Sequence, residues 1–176
     1  MGREPAMLTL DAVNRMERDV FTQLLGGVFE SSPWVAERAW PARPFASVTA
    51  LHDAMTSEVR RASTDEQIAL LRAHPDLAGK AARAGSMTAS SVAEQSSAGL
   101  DRLTDEEYER FSRLNAAYRE KFAFPFIIAV RRHDKASILA AFAKRLEHTR
   151  GQEIVAALDQ VSDIARLRLD RLVTSE

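Results

Sequence analysis

The stretch GQEIVAALDQVSDIARLRLDRLV, residues Gly151 to Val173, contains no proline, and no glycine after its first residue. Turned at roughly 100° per residue, it places Ile154, Leu158, Val161, Ala165 and Leu172 within roughly 40° of one line. That spacing predicts a long helix with one buried face. The alternation with a period of two that marks a half-buried strand is missing. The rest of the chain has the same character. Glycine is scarce, at 7 of 176 residues, and Ala, Leu, Arg and Glu dominate. The chain is therefore predicted to be all-α: a single-domain compact helical bundle of about eight helices, with its core between residues 10 and 173.

Working outward from this helix, local signals punctuate the other segments. A helical region is expected from Leu10 to about Glu30, with a break at Gly26-Gly27. Ser32 is a candidate cap, with Pro33 in the first helical position of a short helix that ends before Pro41. Ser47 can start a helix through Arg61. TDEQ, Thr64 to Gln67, matches a capping box, and the helix it opens should end at His74, because Pro75 pushes the residue before it out of helical geometry. A helix from Ala89 to about Ala98 should stop at Gly99. TDEE, Thr104 to Glu107, is a second capping box, and Tyr108, Phe111, Asn115 and Tyr118 then recur at helical spacing. Asp134 can cap a helix whose face is Ile138, Leu139, Phe142 and Leu146.

Composition excludes several function classes. Net charge is −1, so no global field draws the chain to nucleic acid or an anionic membrane. There is no cysteine, which removes disulfides, thiolate catalysis and cysteine-ligated zinc, and fits a reducing, cytoplasmic setting. The longest apolar run, Phe122 to Val130, is far short of the ~20 residues of a membrane span. The N-terminus has no secretory stretch, and LVTSE is not a peroxisomal tail. No His-x-x-x-His pair or dense carboxylate cluster points to a metal. No phosphate-binding glycine loop and no G-x-S-x-G elbow is present.

Two residues stand out. Arg168 lies roughly 40° from the axis of the apolar stripe, whereas Arg166 and Arg171 lie roughly 100–120° away. A guanidinium facing a core needs an anionic partner, either a protein carboxylate or a substrate. Otherwise it covers apolar surface with its stem. His74 sits between an amphipathic helix and a rigid turn. An imidazole there can carry protons or simply pack at a helix C-terminus. His52, His133 and His148 lie in charged or polar neighbourhoods and read as surface residues. Ser91, Glu94 and Gln95 share one helix face, either a polar site wall or a solvated surface. Phe124 before Pro125 must be extended, which can leave nearby backbone groups available to a ligand.

The stretches SPW, RPF, LLRAHPDLAGKAA, SVAEQSSAGLDRLT, LNAAYREKFAFPFIIAVR and IARLRL occur here in that order. Together they resemble the 2-oxo-4-hydroxy-4-carboxy-5-ureidoimidazoline (OHCU) decarboxylases, from about Leu10 to Val173. The resemblance implies an all-α homodimer without metal or organic cofactor that acts in urate degradation and yields (S)-allantoin. It places the acid-base group at His74, with Glu94 and Arg168 as the other catalytic residues. Pro75, Ser91 and Gln95 match the substrate pocket, and Phe126, Ile127, Ile128, Ala129 and Val130 match a backbone-contact wall. Ala123 stands where a glycine is usual in this family, and Arg132-His133 replaces a common glycine. Two other classes remain to be weighed: a non-catalytic helical ligand-binding module, and a hydrolase acting on a related ureide.

Overall fold

The computed structural model describes residues 6–79 and 85–175. The segment 80–84, including part of the LAGKAA stretch, lies outside the described residues. Nine α-helices are present among the described residues, with two short 3-10 turns and one two-stranded parallel sheet. The all-α expectation holds. The chain divides into two units, residues 1–70 with 162–176, and residues 71–161.

The first unit contains β1 (Leu8–Thr9), α1 (Leu10–Asn14), α2 (Arg18–Leu25), α3 (Trp34–Ala39) and α4 (Val48–Arg61). Most of α5 (Thr64–Arg72) also belongs to it, as do the part of the last helix from Ser162 onward and β2 (Val173–Thr174). β1 pairs with β2 in register Leu8 to Val173, a pairing with no signal in the sequence. Its core is Val13, Phe21, Leu25, Val35, Leu51, Met55, Ala165 and Leu169, all fully buried.

The helical region expected from Leu10 to about Glu30 does stop at Gly26, where α2 is capped, but it is also broken at residues 15–17. Arg43 explains the break. Its guanidinium stacks 3.9 Å from the Trp40 ring and donates to the carbonyls of Asn14 and Met16 at 3.0 and 2.9 Å. Trp40 Nε1 also donates to Met16 O. Carbonyls that would otherwise need a continuing helix are satisfied from outside. Asn14 closes the arrangement through reciprocal bonds with the backbone N–H and C=O of Phe45. The RPF motif is thus a plug for a helix end.

Two caps differ from expectation. Ser32 donates its hydroxyl to Glu30 O rather than capping α3. The box that opens α5 is shifted by one residue: Ser63 Oγ accepts from Glu66 N, and Glu66 Oε1 accepts from Ser63 N. Gln67 turns back instead and donates to Val59 O at 2.9 Å. Ser47 caps α4 as expected.

The second unit holds α6 (Ala89–Ser97), α7 (Asp105–Phe122), α8 (Lys135–Arg145) and the N-terminal part of α9 (Arg150–Leu172). Thr104 with Glu107, and Asp134 with Ser137, form complete capping boxes. α6 ends before Gly99, whose φ of +77° favours glycine. The core is aromatic: Phe126 stacks on Phe142 at 3.7 Å, and Tyr118 meets Phe126 edge-on at 5.3 Å. Along α9 the buried row is Glu153, Ala157, Val161, Ala165 and Leu169, while Ile154, Leu158 and Leu172 are half-buried. The buried face is therefore wider than the predicted line and begins with a carboxylate.

α7 ends on Ala123, in the left-handed region at φ +64° and exposed to solvent. An L-residue with a Cβ costs about 1–2 kcal/mol there, and Ala123 is exposed, so its methyl buries little to offset that cost. Glycine gives back about 0.5–1 kcal/mol through the entropy of the unfolded chain. Ala123→Gly is expected to raise stability by about 0.5–1 kcal/mol, read as a higher urea midpoint with unchanged slope.

Candidate active site

α5 ends at Arg72, and His74 N–H closes the last turn on Leu71 O. His74 is buried, with a relative exposure of 7%. The turn that follows is held by side chains from two helices. Gln95 of α6 accepts from Ala78 N–H through Oε1 at 2.9 Å and donates from Nε2 to Asp76 O at 3.2 Å. Asn115 of α7 donates to Leu77 O at 2.8 Å. Arg119, one turn further along α7, donates to Asp76 Oδ1 at 2.8 Å. Gly79 passes so near that a Cβ there would lie 2.8 Å from Asp76 Cβ. Each residue from 76 to 78 is thereby gripped from outside the turn, which fixes the backbone on which His74 stands. Gln95, singled out for a substrate pocket, is thus chiefly engaged with this turn, and one lone pair of its Oε1 remains.

Ser91, Glu94 and Gln95 are all buried on one face of α6, so the predicted polar face is not a solvated surface. Pro75 is half-buried. Phe126 to Val130 are buried throughout, and residues 126–129 form an irregular segment. Arg145 Nη1 donates to Ile127 O at 2.6 Å, and Ala129 N–H donates to Gln160 Oε1 at 2.9 Å.

Arg145 belongs to a buried cluster that sequence reasoning missed. Glu153, fully buried, accepts from Tyr118 Oη at 2.5 Å and Arg145 Nε at 2.8 Å, and its other oxygen lies 2.8 Å from His148 Nδ1. Burial, and then the bond to Glu153, push the Tyr118 phenol far above its usual range, so it stays a donor. His148 and His52 are therefore half-buried and bonded, not surface residues; His52 Nε2 contacts Ser162 O at 2.8 Å. His133 bonds Ser137.

In the first unit, Arg168 does face inward. Its side chain is 9% exposed and donates to Glu30 Oε2 at 2.7 Å and to Gly27 O at 3.2 Å. The anionic partner that its position demands includes a protein carboxylate, itself 2% exposed. Glu30 closes the helical region read from Leu10, and no local pattern pairs it with Arg168, 138 positions away. Among the described residues no group of three or more His, Cys, Asp or Glu could hold a metal ion, and no helix is long and apolar enough to cross a membrane.

The sequence profile described as OHCU decarboxylase matches residues 14–170. The chain belongs to this family. The OHCU decarboxylases are carboxy-lyases, and so is the chain. His74, Glu94 and Arg168 all lie within the matched span. The 2-oxo-4-hydroxy-4-carboxy-5-ureidoimidazoline decarboxylase of Haloferax volcanii is 48% identical over 169 residues, which is 96% of this chain and 98% of that protein. The uric acid degradation bifunctional protein PucL of Bacillus subtilis is 41% identical over 97% of this chain and 34% of its own length. Among solved structures, an (S)-allantoin synthase superposes with a TM-score of 0.75 at 35% identity, over 94% of this chain and 54% of that one.

Proposed function

We propose that the chain converts OHCU to (S)-allantoin and CO2 without a cofactor, as a cytoplasmic homodimer with one OHCU decarboxylase-like domain. The reading rests on family membership and on one observation above all: an imidazole buried in a turn whose backbone is gripped by Gln95, Asn115 and Arg119. The family match, which runs through both units, supports the single domain. The cysteine-free composition fits the cytoplasm, and the dimer follows from the resemblance.

The substrate carries its carboxylate beside a C=N carbon. The bond to the carboxylate breaks, CO2 leaves, and its electron pair flows into the imine, which takes up a proton. The resulting enol-like intermediate loses the hydroxyl proton and gains one on carbon, from one face only. The chemistry supplies its own electron sink, so the protein has to orient, exclude water and move protons. His74 is the acid-base group on the hydroxyl or imine side, with Glu94 orienting it. Arg168 binds a ring or ureido oxygen and the charge that develops there. Gripping the departing carboxylate instead would stabilise the ground state and slow the reaction. Pro75 and Ser91 shape the pocket, Gln95 offers its remaining lone pair, and backbone groups from Phe126 to Val130 read the ring edges.

The direct test is circular dichroism of freshly generated OHCU. Spontaneous decay gives racemic allantoin, so an enantiomeric signal requires catalysis, and its absence with added chain would overturn the reading. Arg168 needs a double variant. Arg168→Leu removes one side of a buried ion pair with Glu30 and is expected to destabilise by about 3–5 kcal/mol, which confuses activity with folding. Glu30→Gln combined with Arg168→Leu removes both charges and should recover most of that loss, while turnover stays crippled. Turnover that returns along with stability would make Arg168 purely structural.

A further inference from the structure

We infer that Arg145 and Gln160 are positioning residues for ureide recognition: they fix the two peptide planes that meet at Ile128. Arg145 Nη1 holds Ile127 O at 2.6 Å, and Gln160 Oε1 holds Ala129 N–H at 2.9 Å. Both peptide bonds are trans. In a planar trans peptide the N–H and C=O point in opposite directions. With Ile127 O held by Arg145, the Ile128 N–H must face away from Arg145. With Ala129 N–H held by Gln160, the Ile128 C=O must face away from Gln160. Ile128 is buried, at 5% exposure, and neither its N–H nor its C=O makes a hydrogen bond among the described residues. A buried donor and acceptor left open on one residue is rare in a folded protein. Here both are held in place by side chains that bond the other half of each peptide unit.

A donor and an acceptor on one residue match the –NH–C(=O)– edge of a ureide, which offers one acceptor and one donor in turn. One of the two pins is itself held by its surroundings. Arg145 lies 4.3 Å over the Phe126 ring and is paired with buried Glu153. This assignment rests on the decarboxylase reading, which supplies the ligand. It adds two residues, Arg145 on α8 and Gln160 on α9, that act through backbone alone.

Gln160 is the position to change, because it is half-buried and uncharged. Gln160→Leu keeps much of the volume and loses the acceptor, whereas Gln160→Glu keeps an oxygen for Ala129 N–H. Calorimetric titration with (S)-allantoin should show about tenfold weaker binding for Gln160→Leu, the scale of one well-placed hydrogen bond. KM for OHCU should rise in parallel with a smaller change in kcat, because the contact is made in ground and transition states alike. Gln160→Glu should restore both. Unchanged allantoin affinity in Gln160→Leu overturns the positioning role, as does an affinity loss that tracks the melting temperature and is not restored by Gln160→Glu. Wild-type protein that neither binds (S)-allantoin nor turns over OHCU overturns the decarboxylase reading, and this assignment with it.

Discussion

His74→Ala is expected to slow OHCU turnover by about 10²–10⁴-fold, the usual contribution of a positioned acid or base, and to leave the allantoin that forms racemic. The fold should survive. The turn after His74 is held through its backbone by Gln95, Asn115 and Arg119, none of which needs the imidazole as a partner in these bonds. Far-UV circular dichroism and a single cooperative melt should therefore match the wild type in shape. His74→Gln separates proton transfer from packing, since the amide fills similar space and can hydrogen-bond but does not titrate near neutral pH. It should be as slow as His74→Ala. A His74→Gln variant that kept its rate and its enantiomeric excess would show that the residue only packs, and the acid-base assignment would fail.

Much of the fold was readable because its signals are local. Thr104 and Glu107, or Asp134 and Ser137, lie within a single turn, so the boxes they form appear in the sequence as spacing. The end of α5 before His74 follows from one proline. The features that were not readable have distant partners. Arg43 reaches Asn14 across 29 positions, and Arg168 reaches Glu30 across 138. No local pattern encodes such pairs. Ser63 and Glu66 show a subtler limit: two overlapping boxes were possible, and the carbonyl of Val59, which accepts from Gln67, accompanies the other choice.

The same distinction runs through the site. The resemblance marked Gln95 by motif, and its hydrogen bonds show why an amide suits that position: one group must accept from Ala78 N–H while another donates to Asp76 O. A carboxylate would lack the donor and a lysine the acceptor. Asn115 was visible only as a polar residue in an otherwise apolar row, and Leu77 O is its reason. In both cases the amide serves the backbone that carries the His74 imidazole.

Glu153→Ala should destabilise the fold by about 3–5 kcal/mol, the range for breaking a buried ion pair from one side. Glu153 is completely buried and is met by Tyr118, Arg145 and His148. Without it, Arg145 keeps a full charge at 10% side-chain exposure with Ile127 O as its hydrogen-bond acceptor, and its Nη2 already has no partner among the described residues. The Tyr118 hydroxyl loses its acceptor too. Against a typical total of about 5–15 kcal/mol, such a loss leaves a fold that melts far earlier or is partly unfolded. Glu153→Gln is the companion variant that keeps the comparison measurable. Its amide oxygen can still accept from Tyr118 or Arg145, but the charge that compensates Arg145 is gone, so it should fall between the wild type and Glu153→Ala. Urea unfolding reads both as a lower midpoint at unchanged slope. If Glu153→Ala cost less than about 1 kcal/mol, the range of an exposed ion pair, Arg145 would have to reach solvent when its partner is removed. The rigid hold on Ile127 O, and with it the orientation of Ile128, would then lose its physical basis.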